Sequence, residues 1–423
     1  MRQLSVLGLI ALLVLAACSG PGTVSSSASA TAMPTTTAKP TAGPPIKLGM
    51  IDTLSGGNAQ IGKNCQEGAT VAINQINAAG GVLGRTLEIV SQDEAPNTAA
   101  AVNALRSLNS QGIPFTFGWT SSADALGAVP IAQQLNSIVM GSHAAATTLT
   151  TDKYAPNFVR IAVSDAMGAK ALAELVHEKF PGVKKWNVFG YDYVTGHDQT
   201  DTFMAELKKL DPAASLGKQV FFPFTATDLS SYITSMISAL PSDSAQKEGV
   251  FLATFGAGTF NLVKQGQPYN LFPKFNATVA IAGGGFLSQA GQLGKDTPDI
   301  WSQYDYYHKA FDSALNQQYV KDYQAAYGTV PASWATQCFK SIYAYKAAFE
   351  KAGGTDFAKV LKAFDDLTFK SIEGDVVIRA GDHQAAVSTV DRHFKPDAAS
   401  KEGFTVPEWV VRGAKDTLPA VKH

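Results

Sequence analysis

The sequence predicts an α/β protein made of two doubly wound lobes, each a parallel sheet covered by helices on both faces. Three observations carry that expectation. From residue 46 onward, short strands that are apolar throughout alternate with helical stretches, the pattern of a sheet buried on both sides. The same alternation starts afresh near residue 167. A chain of 423 residues is too long for one ordinary domain and comfortable for two, each burying a core of its own.

The first series opens with the strand IKLGMID, then the helix IGKNCQEGATVAINQINAAG, closed by Gly80 and Gly81, since glycine best takes the left-handed turn after a helix. TLEIVSQDE is the second strand, TAAAVNALRSLNSQ the second helix and IPFTFG the third strand. ADALGAVPIAQQLNS has helical spacing, and SIVMGS and FVRIAV are further strands. The second series runs from the helix MGAKALAELVHEKFPG through the strands KWNVFGYD, KQVFFPF, GVFLATFG and TVAIAGGGF, with helices between them. WSQYDYYHKAFDSALNQQYVKDYQAAYG is polar and aromatic, whereas WATQCFKSIYAYKAAFEKAGG returns to the style of the first series, so the chain is expected to cross between lobes there. DVVIRAGDHQAAVSTVDRHFK is expected to form a hairpin turning at Gly381 and Asp382,. The tail to His423 is expected to be mostly irregular. One lobe then spans 46–161 and 289–369, the other 162–288 and 370–423.

Ahead of these lobes, LSVLGLIALLVLAACSG is an apolar run ending in Leu15, Ala16, Ala17 and Cys18. It resembles a bacterial lipobox, with 1–17 as signal peptide and Cys18 as the lipid-bearing first residue of the mature chain,. Residues 18–45 are rich in Ser, Thr, Ala, Pro and Gly and bury too little apolar surface to fold, so they form a flexible linker to a lipid anchor. Cys65 and Cys338 fall in helical segments. In an exported protein they are either a disulfide or two separately buried thiols.

The 34 basic and 35 acidic residues nearly balance, and no Lys/Arg stripe stands out, which argues against a nucleic-acid partner. No metal-like Cys/His spacing occurs, and no cofactor is expected. Catalysis finds little support: FGAGTFN lacks the third glycine of a dinucleotide loop, GWTSS is not a G-x-S-x-G elbow, and no G-x-x-x-x-G-K-[ST] is present,. Ligands of open parallel sheets bind beyond the carboxyl ends of the strands. The loops there are TLSGGNAQ, GWTSS, SHAAATT, YDYVTGHD, FGAGTFN and GGGFLSQ. In GWTSS, Ser121 and Ser122 fall where a helix begins, and free N–H groups and the positive end of the helix dipole meet there,.

Two stretches, IKLGMIDTLSGGNAQIGKNCQEGATVAINQINAAGGVLGRTLEIVSQDEAPNTAAAVNALRSL and GWTSSADALGAVPIAQQLNSIVMGSHAAATTLT, resemble the ABC-importer solute-binding proteins of the type I periplasmic class, typified by the leucine/isoleucine/valine-binding proteins. Asn77, Ala78, Ala79, Gly80, Gly81 and Gly84 match the family signature N-x-x-G-G-hydrophobic-x-G. The resemblance covers roughly residues 46 to 395. It implies two lobes joined by three crossovers, closing on a small solute, with ABC permease and ATPase subunits as partners and a monomeric binding protein outside the cytoplasm. It also implies that Ser121 and Ser122 hold the solute's carboxylate, with a carbonyl from Ala145 and a hydroxyl from Thr147 at the same end. Ile61 lines the apolar part, Tyr193, Phe255 and Phe286 close over the solute from the second lobe, and Ser55 and His143 lie in neighbouring cleft loops.

The chain departs from the amino-acid-binding pattern at one loop, AGGGFLS, which lacks the usual acidic partner for an α-ammonium. Asp192 or Asp124 is the expected substitute. Without one, a carboxylate with an apolar or aromatic body, or an amide, fits better, because an unpaired buried ammonium is costly. A lipid-tethered sensor head is a second reading of the same site, and an enzyme on a doubly wound fold a third.

Overall fold

The computed structural model describes residues 43–95, 97–241, 248–281 and 290–422. The signal peptide with Cys18, most of the linker, Phe286 and the AGGGFLS loop lie outside the described residues. No helix among the described residues is long and apolar enough to cross a membrane.

The first lobe is a five-stranded, all-parallel sheet, built from β1 (Ile46–Asp52), β2 (Leu87–Asp93), β3 (Phe115–Gly118), β4 (Ile138–Gly141) and β5 (Phe158–Arg160) in the order β2-β1-β3-β4-β5. Helices α1 (Ala59–Ala78), α2 (Thr98–Ser110) and α3 (Ser122–Gln134) connect these strands. Helix α1 turns Ile61, Cys65, Ala69, Ala72, Ile73 and Ile76 inward, at the three- and four-residue spacing of one helix face,.

The second lobe starts with α4 (Asp165–Lys179) and holds β6 (Lys185–Tyr191), α5 (Val194–Leu210), β7 (Ser215–Phe222), α6 (Ser230–Ile237), β8 (Glu248–Ala253), α7 (Ala257–Gly266), β9 (Ala277–Ala280) and β10 (Ile300–Tyr304). The chain then returns to the first lobe for α8 (Ala314–Tyr327), α9 (Ser333–Ala352), α10 (Phe357–Ala363) and the hairpin of β11 (Leu367–Ser371) with β12 (Gly374–Ile378). It crosses once more for β13 (Thr389–Pro396), β14 (Phe404–Arg412) and the short α11 (Ala414–Thr417). The second sheet has seven strands in the order β14-β13-β10-β9-β8-β6-β7, with β13 and β14 antiparallel to their neighbours.

Three segments therefore join the lobes, at 161–164, 305–313 and 379–388. The second and third fall later than the expected 289 and 370. The segment IWSQY is a strand of the second sheet, paired with β9 and β13, and the β11–β12 hairpin buries Phe369, Val376 and Ile378 in the first-lobe core. The expected hairpin at Gly381 and Asp382 forms only as a short turn: Ile378 bridges Ala385 antiparallel, Arg379 N–H donates to the Gln384 carbonyl at 3.1 Å and Ala386 N–H to the Val377 carbonyl at 2.8 Å. Beyond it the strands take other partners, β12 pairing with β11 and β13 with β10 and β14. Arg379 also holds the Asp382 carboxylate at that turn, with Nε to Oδ1 at 3.0 Å. The tail is only partly irregular, since β14 forms the edge of the second sheet and α11 follows it.

Helices α1 and α9 meet backbone to backbone. A Cβ on Gly68 would lie 1.8 Å from the Ala335 carbonyl oxygen, so only glycine permits this approach. One turn away a disulfide joins Cys65 to Cys338, with Cα atoms 5.1 Å apart, which resolves the two thiol alternatives in favour of the bridge.

Candidate functional site

Strand β3 is buried at every residue, and the chain must turn sharply at its end. Gly118 makes the turn at φ +103°, where a Cβ would lie 2.4 Å from the Ile51 carbonyl oxygen. Trp119 follows at φ +64° with its ring fully buried, Nε1 donating to Thr116 Oγ1 at 3.2 Å. Ser121 then caps α3, its Oγ accepting the Asp124 N–H at 3.3 Å.

Two backbone donors at this helix end are taken by side chains. Ser121 N–H donates to Glu94 Oε1 at 3.1 Å, and Ala123 N–H to the Tyr193 hydroxyl at 3.0 Å. Ser122 Oγ accepts the Ala145 and Ala146 N–H groups, each at 3.1 Å. Glu94 is fully buried, and its Oε1 also accepts the Thr53 hydroxyl proton at 3.1 Å. Burial, reinforced by the charges of Asp52 and Asp124, pushes its pKa well above the usual carboxylate range,. At the start of α3, where a solute carboxylate was expected, the Ser121 and Ala123 N–H groups are thus engaged within the chain, that of Ala123 by Tyr193 of the other lobe.

A cavity lies between the lobes, below this turn. Five of the expected residues line it: Ile61, Ser122, His143, Ala145 and Phe255. The space open to the centre of a water molecule is about 30 Å³, so the lobes must part before an organic solute enters. Contacts between lobes hold them together: Tyr193 to α3, Thr195 Oγ1 to Ser122 Oγ at 3.4 Å, Ala257 N–H to Asn58 Oδ1 at 3.1 Å, and Thr147 N–H to Asp198 Oδ2 at 2.9 Å.

The other expected residues stand elsewhere. Ser121, Tyr193 and Thr147 bridge the lobes beside the cavity without lining it, Thr147 Oγ1 accepting the Ala166 N–H at 3.1 Å. Ser55 is exposed and belongs to a separate groove. Asp192 is exposed and paired with His197 at 3.0 Å, away from the cavity, and Asp124 is buried against the Thr98 hydroxyl, 2.5 Å away. Neither expected substitute for the missing acid faces the cavity. His143 has an acceptor at each ring nitrogen, Gln337 Oε1 at 2.6 Å and Asp52 Oδ2 at 3.1 Å, so its polar atoms serve the wall rather than the cavity.

Residues not singled out as candidates complete the lining, although Thr120 and Thr195 belong to the expected cleft loops GWTSS and YDYVTGHD. Val163, Ile281, Tyr304 and Trp334 supply apolar and aromatic surface, and Thr120, Ser164, Asp165, Thr195, Gln199 and Gln303 supply polar groups. Asp165 opens α4, directly after the Ser164 cap. Gln199 sits on α5, and Gln303 lies inside β10. No motif indicated these three: the expected helix MGAKALAELVHEKFPG begins at Met167, two residues after Asp165, and an acidic helix start is in any case an ordinary place for a carboxylate,.

A family model described as "Periplasmic binding protein" matches residues 45–390. The leucine-, isoleucine-, valine-, threonine- and alanine-binding protein of Pseudomonas aeruginosa is 24% identical over 341 residues, covering 78% of this chain and 85% of its own. Among solved structures, an amino acid ABC transporter substrate-binding protein from Pseudomonas fluorescens superimposes with a TM-score of 0.74 at 24% identity, covering 90% of this chain and 99% of the other. A solute-binding protein of an ABC transporter from Rhodopseudomonas palustris, in complex with 3,4-dihydroxybenzoic acid, gives a TM-score of 0.76 at 19% identity, covering 87% and 97%.

Proposed function

Because the chain belongs to the periplasmic binding protein family, we propose that it is an extracytoplasmic solute-binding lipoprotein of an ABC importer. It closes its lobes on a small amino acid, an aromatic or apolar acid, or an amide, and delivers the solute to a membrane permease. The observation that carries this reading is the cavity itself. It is lined from both sheets at the strand ends and helix starts where doubly wound folds bind ligands,. Three connecting segments provide a hinge, about which the lobes open and close. Cys18, with the linker after it, would hold the protein at the membrane as a monomer.

The test is a thermal-shift screen of the full chain against amino acids, their des-amino acids, aromatic acids and amides, since a solute that binds only the folded state raises the unfolding midpoint. At least one small solute is expected to raise it in proportion to the logarithm of its concentration. No shift from any class would overturn the reading. Cys18→Ser is expected to release the chain from the membrane fraction and abolish lipid labelling.

A further inference from the structure

Three buried acceptor atoms on cavity-lining side chains take no hydrogen bond: Asp165 Oδ2, Gln199 Oε1 and Gln303 Oε1. Each side chain is fixed through its other polar atom, so the orphaned oxygen is not an accident of orientation. Gln199 Nε2 donates to Asp165 Oδ1 at 2.8 Å, and Gln303 Nε2 donates to the Tyr304 carbonyl at 2.7 Å. Asp165 is 2% exposed, Gln199 3% and Gln303 fully buried. Gln303 Oε1 lies against Gly168, where a Cβ would come within 2.6 Å of it. Gly168 is one turn beyond Asp165 on the same face of α4. Among the described residues no lysine or arginine lines this cavity, and none of its lining side chains has a fully buried nitrogen without a partner.

A wall of unspent acceptors with one carboxyl among them calls for a donor-rich cation. An ammonium has three N–H donors and no acceptor. On the reading that this cleft holds the solute, we propose that Asp165, Gln199 and Gln303 form a subsite for a cationic nitrogen, so that the solute is an amine and Asp165 replaces the acid missing from the AGGGFLS loop. The charged groups around Asp165 are Asp198 on α5 and Arg160 at the end of β5, with the hydroxyls of Tyr193 and Tyr304 alongside. Burial, and then Asp198, raises the Asp165 pKa well above its ordinary value, against the hydrogen bond from Gln199, the charge of Arg160 and the neighbouring Thr195 hydroxyl. That shift favours the protonated carboxyl, whereas an ammonium beside it favours the carboxylate, so binding of an amine is expected to release a proton to solvent.

The experiment is isothermal titration of the full chain with two matched pairs, L-leucine against 4-methylpentanoate and L-phenylalanine against 3-phenylpropanoate, in two buffers of different ionisation enthalpy. An amine member is expected to bind about tenfold or more tightly than its des-amino partner, with proton release on binding. Asp165→Asn should abolish the preference and the proton release, and Gln303→Met, which leaves the carboxyl in place, should weaken amine binding a few-fold while release persists. Des-amino acids binding as well as the amines, in wild type and Asp165→Asn alike, would overturn this subsite and leave the solute-binding reading standing. Failure of every pair to bind, together with a silent thermal-shift screen, would overturn both.

Discussion

Two walls of the same cleft treat their hydrogen-bonding groups in opposite ways. On the first-lobe side, the turn into α3 points donors inward and then uses them: Glu94 takes the Ser121 N–H, Tyr193 takes that of Ala123, and Ser122 takes those of Ala145 and Ala146. On the side made by α4, α5 and β10, buried acceptors are left without partners. Buried polar groups are almost always satisfied. The unsatisfied wall therefore carries a cost that a solute can repay, whereas the satisfied wall is part of the scaffold. Substitutions on the satisfied wall should change stability, and substitutions on the unsatisfied wall should change affinity.

Ser122→Ala should have the largest effect on stability. It removes the acceptor of two backbone N–H groups at once, and leaving buried donors unpaired costs about 1–3 kcal/mol. Urea denaturation should show that loss in the midpoint with an unchanged slope. Stability equal to wild type would mean that Ala145 and Ala146 find other partners and that this wall is not scaffold.

The acid dependence of the two walls sharpens the contrast. Glu94 and Asp165 both have raised pKa values, chiefly through burial. The folded state thus keeps protons that the unfolded chain gives up above about pH 4. With fewer protons bound in the unfolded state, stability falls as pH rises from there through the raised folded values. Glu94→Gln should flatten part of that decline and leave solute affinity unchanged, because Glu94 does not line the cavity. Asp165→Asn should flatten it too, but at the expense of amine binding. Equal slopes in wild type and Glu94→Gln between pH 5 and 8 would refute the assignment.

The same contrast explains what could be read in advance. Strands such as IPFTFG and KWNVFGYD are apolar throughout and stand out by composition, so the alternation that builds both sheets was legible. The strand IWSQY was not, because Ser302 and Gln303 look like surface residues although both are fully buried. The serine- and glycine-rich loops at the strand ends pointed to the cleft, and Ser122, Ala145, His143, Ile61 and Phe255 do line it. Asp165, Gln199 and Gln303 come from three separate elements and share no spacing. What distinguishes them is a missing hydrogen bond, a property of the folded chain that has no one-dimensional signature.

The smallest expected effect separates the two candidate acids. Asp192 lies in the second-lobe cleft loop and was, with Asp124, one of the two expected ammonium partners, yet its side chain is 66% exposed and paired with a half-exposed His197. Exposed ion pairs contribute about 0–1 kcal/mol, so Asp192→Asn should shift neither the unfolding midpoint nor the Kd for amines measurably. A strong loss of amine affinity in Asp192→Asn, with Asp165→Asn unaffected, would break the comparison. It would mean that the open lobes rearrange enough to turn a solvated carboxylate inward, a movement that costs desolvation of a charge already well served by water. Asp165 incurs no such cost, since it is already buried with one oxygen unclaimed.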